Sequence, residues 1–193
     1  MDLPIYNLLI DENEKDDAEV SFIALVDSPA IKKDFIAFGE QMAFEVVNED
    51  QHIITGPLMI PEQIIYRKSE KFGDHYVKFS ADTIRAIAIK FSKKGYQRNV
   101  NLMHDEKMQV DGFTMFESFI SNASRGIKPM EAFKDLPDGT WFGSFYVENP
   151  DVWALIKEKK LKGFSVEGLF AYEKPQDSSE EKLRKLADFL NSL

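Results

Sequence analysis

The chain has three histidines, His52, His75 and His104, and no cysteine. Thiolate catalysis, a disulfide framework and zinc sites built on Cys are therefore all excluded. A serine hydroxyl remains as a nucleophile, but only with a base close enough to take its proton and a third group to hold that base. The stretch Lys162-Gly-Phe-Ser-Val-Glu-Gly168 offers such a hydroxyl. In a strand, neighbouring side chains point to opposite faces, so Phe164, Val166 and Phe170 face a core while Ser165 and Glu167 face the other way. His104 ends a strand-like segment, Asn99-Val-Asn-Leu-Met-His104, just before polar Asp105-Glu-Lys107. A side chain there reaches a cleft. Glu117 shares an alternating set with Phe113, Met115 and Phe119, where a carboxylate is costly unless a cation or hydrogen-bond donor meets it. If a hairpin over 100–121 brings His104 to Glu117, the imidazole is oriented by the carboxylate and serves Ser165 as general base.

Ordinary readings stand beside each of these. A strand serine is usually solvent-facing or hydrogen-bonded, a lone histidine at a strand end is usually structural, and Glu117 equally fits a carboxylate at an open rim. His52 follows Asn48-Glu-Asp50 in a hairpin turn and His75 begins a strand after Gly73-Asp74, so both are poorer bases by context. No pair of histidines has the i, i+4 spacing of helical metal ligands, and no cofactor is expected.

The elements that must position these residues are mostly strands. Val20–Val26, Phe35–Phe38, Ala43–Val47, His52–Ile60 around Gly56-Pro57, Asp74–Phe79, Asn99–His104, Val110–Ser121 and Thr140–Val147 precede the Ser165 strand. Gly112 is read as a bulge within its strand, and residues 122–139, with Gly126, Pro129, Pro137 and Asp138-Gly139, as loop. Ser80 caps a helix whose Ile84, Ile87, Ala88 and Phe91 make one apolar face, stopped at Lys93-Lys94-Gly95. Asn149-Pro150 starts a second helix, with Val152, Trp153, Leu155 and Ile156 as its apolar side and Lys157, Lys159, Lys160 and Lys162 crowding its end. Beyond Pro175, Ser178-Ser-Glu-Glu181 resembles a capping box ahead of Leu183, Leu186, Ala187 and Leu190, an amphipathic tail helix. The expected class is α+β and mainly β, an antiparallel or mixed β-barrel with helices packed outside. Residues 1–175 form its domain and 176–193 the tail.

With 193 residues and a 44% hydrophobic fraction including sixteen Phe, the chain can bury a sizeable core. A formal charge of −9 without a basic stripe argues against nucleic acid as a partner. No apolar run approaches the roughly 20 residues of a membrane span, and the start, Met1-Asp-Leu-Pro-Ile5, lacks the pattern of a signal peptide. An intracellular address is compatible with these features.

Four segments together carry a resemblance: Val20-Ser-Phe-Ile-Ala-Leu-Val-Asp-Ser-Pro-Ala-Ile31, Gly56-Pro-Leu-Met-Ile-Pro61, His104 followed by Val110-Asp-Gly-Phe-Thr-Met-Phe-Glu-Ser-Phe-Ile120, and Leu161-Lys-Gly-Phe-Ser-Val-Glu-Gly168. Over about residues 20–173 the chain resembles the XkdF-type serine proteases of tailed phages and defective prophages. These belong with the prohead, or capsid-maturation, proteases and are similar in fold and active-site plan to the herpesvirus assembly proteases. The resemblance implies a β-barrel ringed by helices and a serine endopeptidase acting inside the assembling procapsid in the bacterial host cytoplasm. Its substrates would be the phage scaffolding protein, the major capsid protein and the enzyme itself, and a homo-oligomer is compatible with the resemblance. Carried onto this chain, Ser165 is nucleophile, His104 base and Glu117 the orienting acid, with Glu148 as the substitute. The herpesvirus enzymes use a second histidine as third member and a downstream arginine near the oxyanion. Here no histidine follows Ser165, and the only later arginine is Arg184. Backbone N–H groups near Gly163 or in 122–139 are the expected oxyanion donors. The competing class is a non-catalytic, protease-like capsid-assembly or scaffold-binding protein. A third form is zymogen-like, with intact geometry and a cleft blocked by 122–139 or the tail.

Overall fold

The computed structural model describes residues 3–10, 18–27 and 43–173. The expected strand at Phe35–Phe38, the Ser28-Pro29 turn and the tail helix lie outside the described residues. The elements in chain order are β1 (Ile5–Leu9), β2 (Val20–Val26), β3 (Glu45–Asn48), β4 (Ile53–Met59), β5 (Ile65–Ser69), β6 (Gly73–Lys78), α1 (Ala81–Lys93), β7 (Val100–Leu102), β8 (Asp105–Gln109), β9 (Phe113–Ile120), β10 (Trp141–Val147), α2 (Pro150–Lys157), β11 (Gly163–Gly168) and β12 (Ala171–Glu173).

The strands pair into three four-stranded sheets, ordered β12-β1-β6-β5, β3-β4-β10-β9 and β11-β2-β7-β8. Two pairs are parallel, β1 with β6 and β2 with β7, and the rest are antiparallel. The molecule is thus mainly β with mixed sheets, as its alternating segments lead one to expect. The expected closed barrel is not formed by the described strands. The three sheets stay separate ladders, joined by core side chains and by one bridge, Ala43 to Gly163.

Both expected helices form for the expected local reasons. Ser80 Oγ accepts the Thr83 N–H at 3.1 Å, Ile84, Ile87, Ala88 and Phe91 are buried, and Gly95 turns the chain at φ +73°. Asn149 Oδ1 accepts from the Asp151 and Val152 N–H groups, with Pro150 in the first turn where no donor is missed. Aromatic side chains then tie the layers together. Phe91 of α1 meets Trp141 of β10, with ring centres 5.5 Å apart, and Phe145 of β10 meets Phe164 of β11 at 4.6 Å. Each such side chain contributes about 1.5–3 kcal/mol by leaving water.

Two strand expectations are corrected by backbone physics. Gly56-Pro57 does not break β4, because β3 pairs only with residues 53–55, so the missing Pro57 donor falls where that edge has run out. Val110–Ser121 is not one strand. Gly112 turns the chain at φ +71° before β9, and its carbonyl accepts from the Glu148 and Asn149 N–H groups. The irregularity expected at Gly112 lies further on, opposite Ser144 and Phe145.

Candidate active site

Ser165 lies on β11, paired with Ala24 of β2, and Ala24 is in register with Asn101 of β7. Paired residues share a face, so Ser165, Ala24 and Asn101 form one row across the sheet, about 10 Å from end to end. The middle residue is a buried alanine. Glu167, two residues beyond Ser165, stands on the same face.

The histidine arrives by a tight reversal. Leu102 of β7 pairs with Asp105 of β8, leaving Met103 and His104 as a two-residue turn. Both have positive φ, +54° and +59°. This is the conformation that two-residue hairpins favour and that usually draws Asn or Gly. Bulky residues hold it at some cost in strain, of a kind that collects at functional sites. The reversal turns His104 back over its own sheet.

There its Nδ1 lies 2.7 Å from Glu167 Oε1, with both side chains almost fully buried. Asn101 Nδ2 donates to the same oxygen at 2.9 Å. A carboxylate oxygen accepts and does not donate, so the His104 hydrogen is on Nδ1. In the neutral ring Nε2 then carries the free lone pair. Among the described residues neither His104 Nε2 nor Ser165 Oγ has a hydrogen-bond partner, and Ser165 is only 4% exposed. A buried hydroxyl and a buried imine nitrogen left unmatched each cost about 1–3 kcal/mol. One of these groups can accept a proton and the other can donate one, and no hydrogen bond joins them here.

The expected orienting carboxylates are elsewhere. Glu117 lies on β9, in register with Ser144 in the sheet that carries neither Ser165 nor His104, and it is exposed. The hairpin over 100–121 that would have brought it to His104 does not exist, because β8 pairs back onto β7 and the chain then leaves for another sheet. Glu148 is exposed just after β10. The carboxylate on His104 is Glu167, and Asn101 holds it. Residues 122–139 join β9 to β10. His52 Nδ1 bonds the Val147 carbonyl at 3.1 Å while its ring stacks on Trp153, and His75 sits among the rings of Tyr6, Phe72 and Tyr172.

Residues 41–173 match a family model described as "Putative phage serine protease XkdF". The chain belongs to this family. The matched stretch of this XkdF-type protein contains Asn101, His104, Ser165 and Glu167, whereas β2, which supplies Ala24 between Ser165 and Asn101, precedes it. No curated protein and no solved structure matches the chain.

Proposed function

We propose that the chain is a serine endopeptidase in which Ser165 is the nucleophile, His104 the general base and Glu167 the orienting acid. The observation that carries this reading is the buried His104–Glu167 hydrogen bond at 2.7 Å, with Nε2 left as a lone pair and the Ser165 hydroxyl unmatched. In the first step Ser165 Oγ attacks the peptide carbonyl and its proton passes to Nε2. Glu167 stabilises the imidazolium so formed, which then protonates the departing amine as the C–N bond breaks. Water, deprotonated by the same nitrogen, releases the acyl group and restores the serine. With Ser165 nearly closed from solvent, the resting molecule is a covered form and substrate entry requires that cover to move.

Membership of a phage protease family supports scaffold and capsid proteins as substrates, cut within an assembling procapsid in the host cell, with self-cleavage included. The test is co-expression with the phage's scaffold and coat proteins, with products read by mass spectrometry. Ser165→Ala should lower cleavage by on the order of 10⁴ to 10⁶. Undiminished cleavage by that variant overturns the assignment. Scaffold binding without cleavage by the unaltered chain favours the competing reading, a protease-like assembly protein.

A further inference from the structure

We propose that a groove at one end of the β11-β2-β7-β8 sheet is a substrate subsite for an extended peptide carrying a large aliphatic side chain beside carboxylates. This deepens the peptidase reading and rests on it. The groove encloses about 570 Å³, within the range of ligand-binding clefts. Its walls are Leu102 and Met103 from the end of β7 and its turn, Met108 from β8, Leu155 from α2, and Leu161. Met108 is 48% exposed, a large apolar side chain presented to water beside other apolar groups. An aliphatic side chain of a partner would cover it.

The place of the groove follows from register. Leu102 pairs with Leu25 and Gly163 with Val26, so the groove lies where β2 and β7 end and β11 begins. His104 follows Leu102 by two residues, and Ser165 follows Gly163 by two. Leu102, one residue after Asn101, faces the other side of the sheet from Ser165, so a peptide held in the groove reaches the two proposed catalytic groups round the end of the sheet, past Met103 and Gly163.

The rim decides the chemistry of the occupant. Lys159, Lys160 and Lys162 stand on it, with Asp27 opposite. All three lysines are exposed, and four lysines with one glutamate occupy residues 157–162 of a chain whose formal charge is −9. The helix dipole favours Lys157 and the adjoining Lys159 and Lys160, whose N–H groups meet last-turn carbonyls, but not Lys162, which stands beyond the last turn. Glu158 meets Lys160 at 2.7 Å, but the pair is exposed and leaves the other two cations to the groove. Lys159 even adopts φ +56°, where glycine is the easier residue. A basic rim on an acidic protein selects and steers acidic partners.

The test uses the full chain carrying Ser165→Ala and short fluorescein-labelled peptides centred on Asp-Leu-Glu, Asp-Ala-Glu or Lys-Leu-Lys, with anisotropy as the readout. The Asp-Leu-Glu peptide should bind at least about tenfold more tightly than either of the others, and less tightly as salt is raised. The combined variant Lys159→Glu, Lys160→Glu and Lys162→Glu, all surface positions, should reverse the charge preference while its melting temperature stays close to that of the parent. Equal affinity for all three peptides, or a preference untouched by the charge reversal, overturns the subsite. Self-association abolished by the charge reversal, with no peptide bound, would give the groove to a second copy of the chain and also overturn it. Selective binding with no cleavage by the Ser165 form leaves the subsite standing and removes the peptidase reading. Cleavage that ignores peptide charge and Leu-to-Ala exchange does the reverse.

Discussion

His104 and His75 are both buried, both engage a main-chain or carboxylate oxygen through Nδ1, and both leave Nε2 unmatched. Only their surroundings separate the proposed base from a packing residue. Behind His104 stands Glu167, a carboxyl group at 2.7 Å, and on the same sheet face is the unmatched Ser165 hydroxyl. Behind His75 stands the carbonyl of Gly73, at 2.9 Å, which orients the ring without supplying a charge. Around it are Tyr6, Phe72 and Tyr172, and across the β5–β6 ladder in register is Arg67. Burial pulls the Arg67 guanidinium down to about 10, and no carboxylate is bonded to the His75 ring. An orphaned imidazole nitrogen is therefore not evidence of a base unless the other nitrogen faces an anion and a proton donor shares the space.

The comparison breaks most sharply if His104 is removed. His104→Ala should lower peptide cleavage almost as far as loss of the nucleophile, on the order of 10⁴ or more, while His75→Ala lowers it only through reduced folding. Steady-state rates on a scaffold substrate, corrected for the folded fraction by circular dichroism, check this. If His75→Ala proves the worse of the two in turnover per folded molecule, the roles assigned to the two histidines are reversed. Glu167→Gln keeps the shape of the site but lets the ring adopt the wrong tautomer and removes the charge behind it. A loss on the order of 10⁴ in kcat, with KM little changed, is expected.

Much of the arrangement was legible in sequence, and what was not has a physical cause. Alternation along Phe164-Ser-Val-Glu167 places Ser165 and Glu167 on one face, so the carboxylate that meets His104 is in view in the sequence as the residue two after the serine. What periodicity along one strand does not reveal is that β11 is buried on both faces, which turns an apparently solvent-facing Glu167 into a buried partner. Glu117 reaches His104 only if 100–121 forms one hairpin. Met103-His104 carries none of the Asn or Gly that announces a two-residue turn, so nothing local marks β8 as a strand or signals that the chain then leaves for another sheet. Local signals did fix α1 and α2, because capping and apolar spacing depend on near neighbours. The three-sheet layout depends on pairings between residues far apart in sequence, such as Ile5 with Tyr76 or Ile23 with Val100, and no local pattern encodes these.

The His75 cluster should report on stability alone. His75→Ala opens a cavity among three aromatic rings in the sheet that joins β1 to β6 and β12, and should cost about 2 kcal/mol or more. Chemical denaturation measures it directly. His75→Phe, which keeps most of the volume and leaves no nitrogen unmatched, should recover much of that loss with turnover per folded molecule unchanged. Turnover that instead follows the nitrogen, lost in the Phe variant although the fold is restored, would assign His75 to the chemistry.

The smallest expected effect gives the sharpest statement about the third member of the site. Glu117 is exposed on β9 in another sheet, so Glu117→Gln should change neither stability, by more than about 0.5 kcal/mol, nor the rate of cleavage. Measured beside Glu167→Gln under identical conditions, it separates a carboxylate that touches the imidazole from one that only shares its sequence neighbourhood. A rate loss in Glu117→Gln comparable to that in Glu167→Gln would mean that β9 approaches His104 during turnover. The closed arrangement would then be a resting form whose sheets rearrange before peptide is cut.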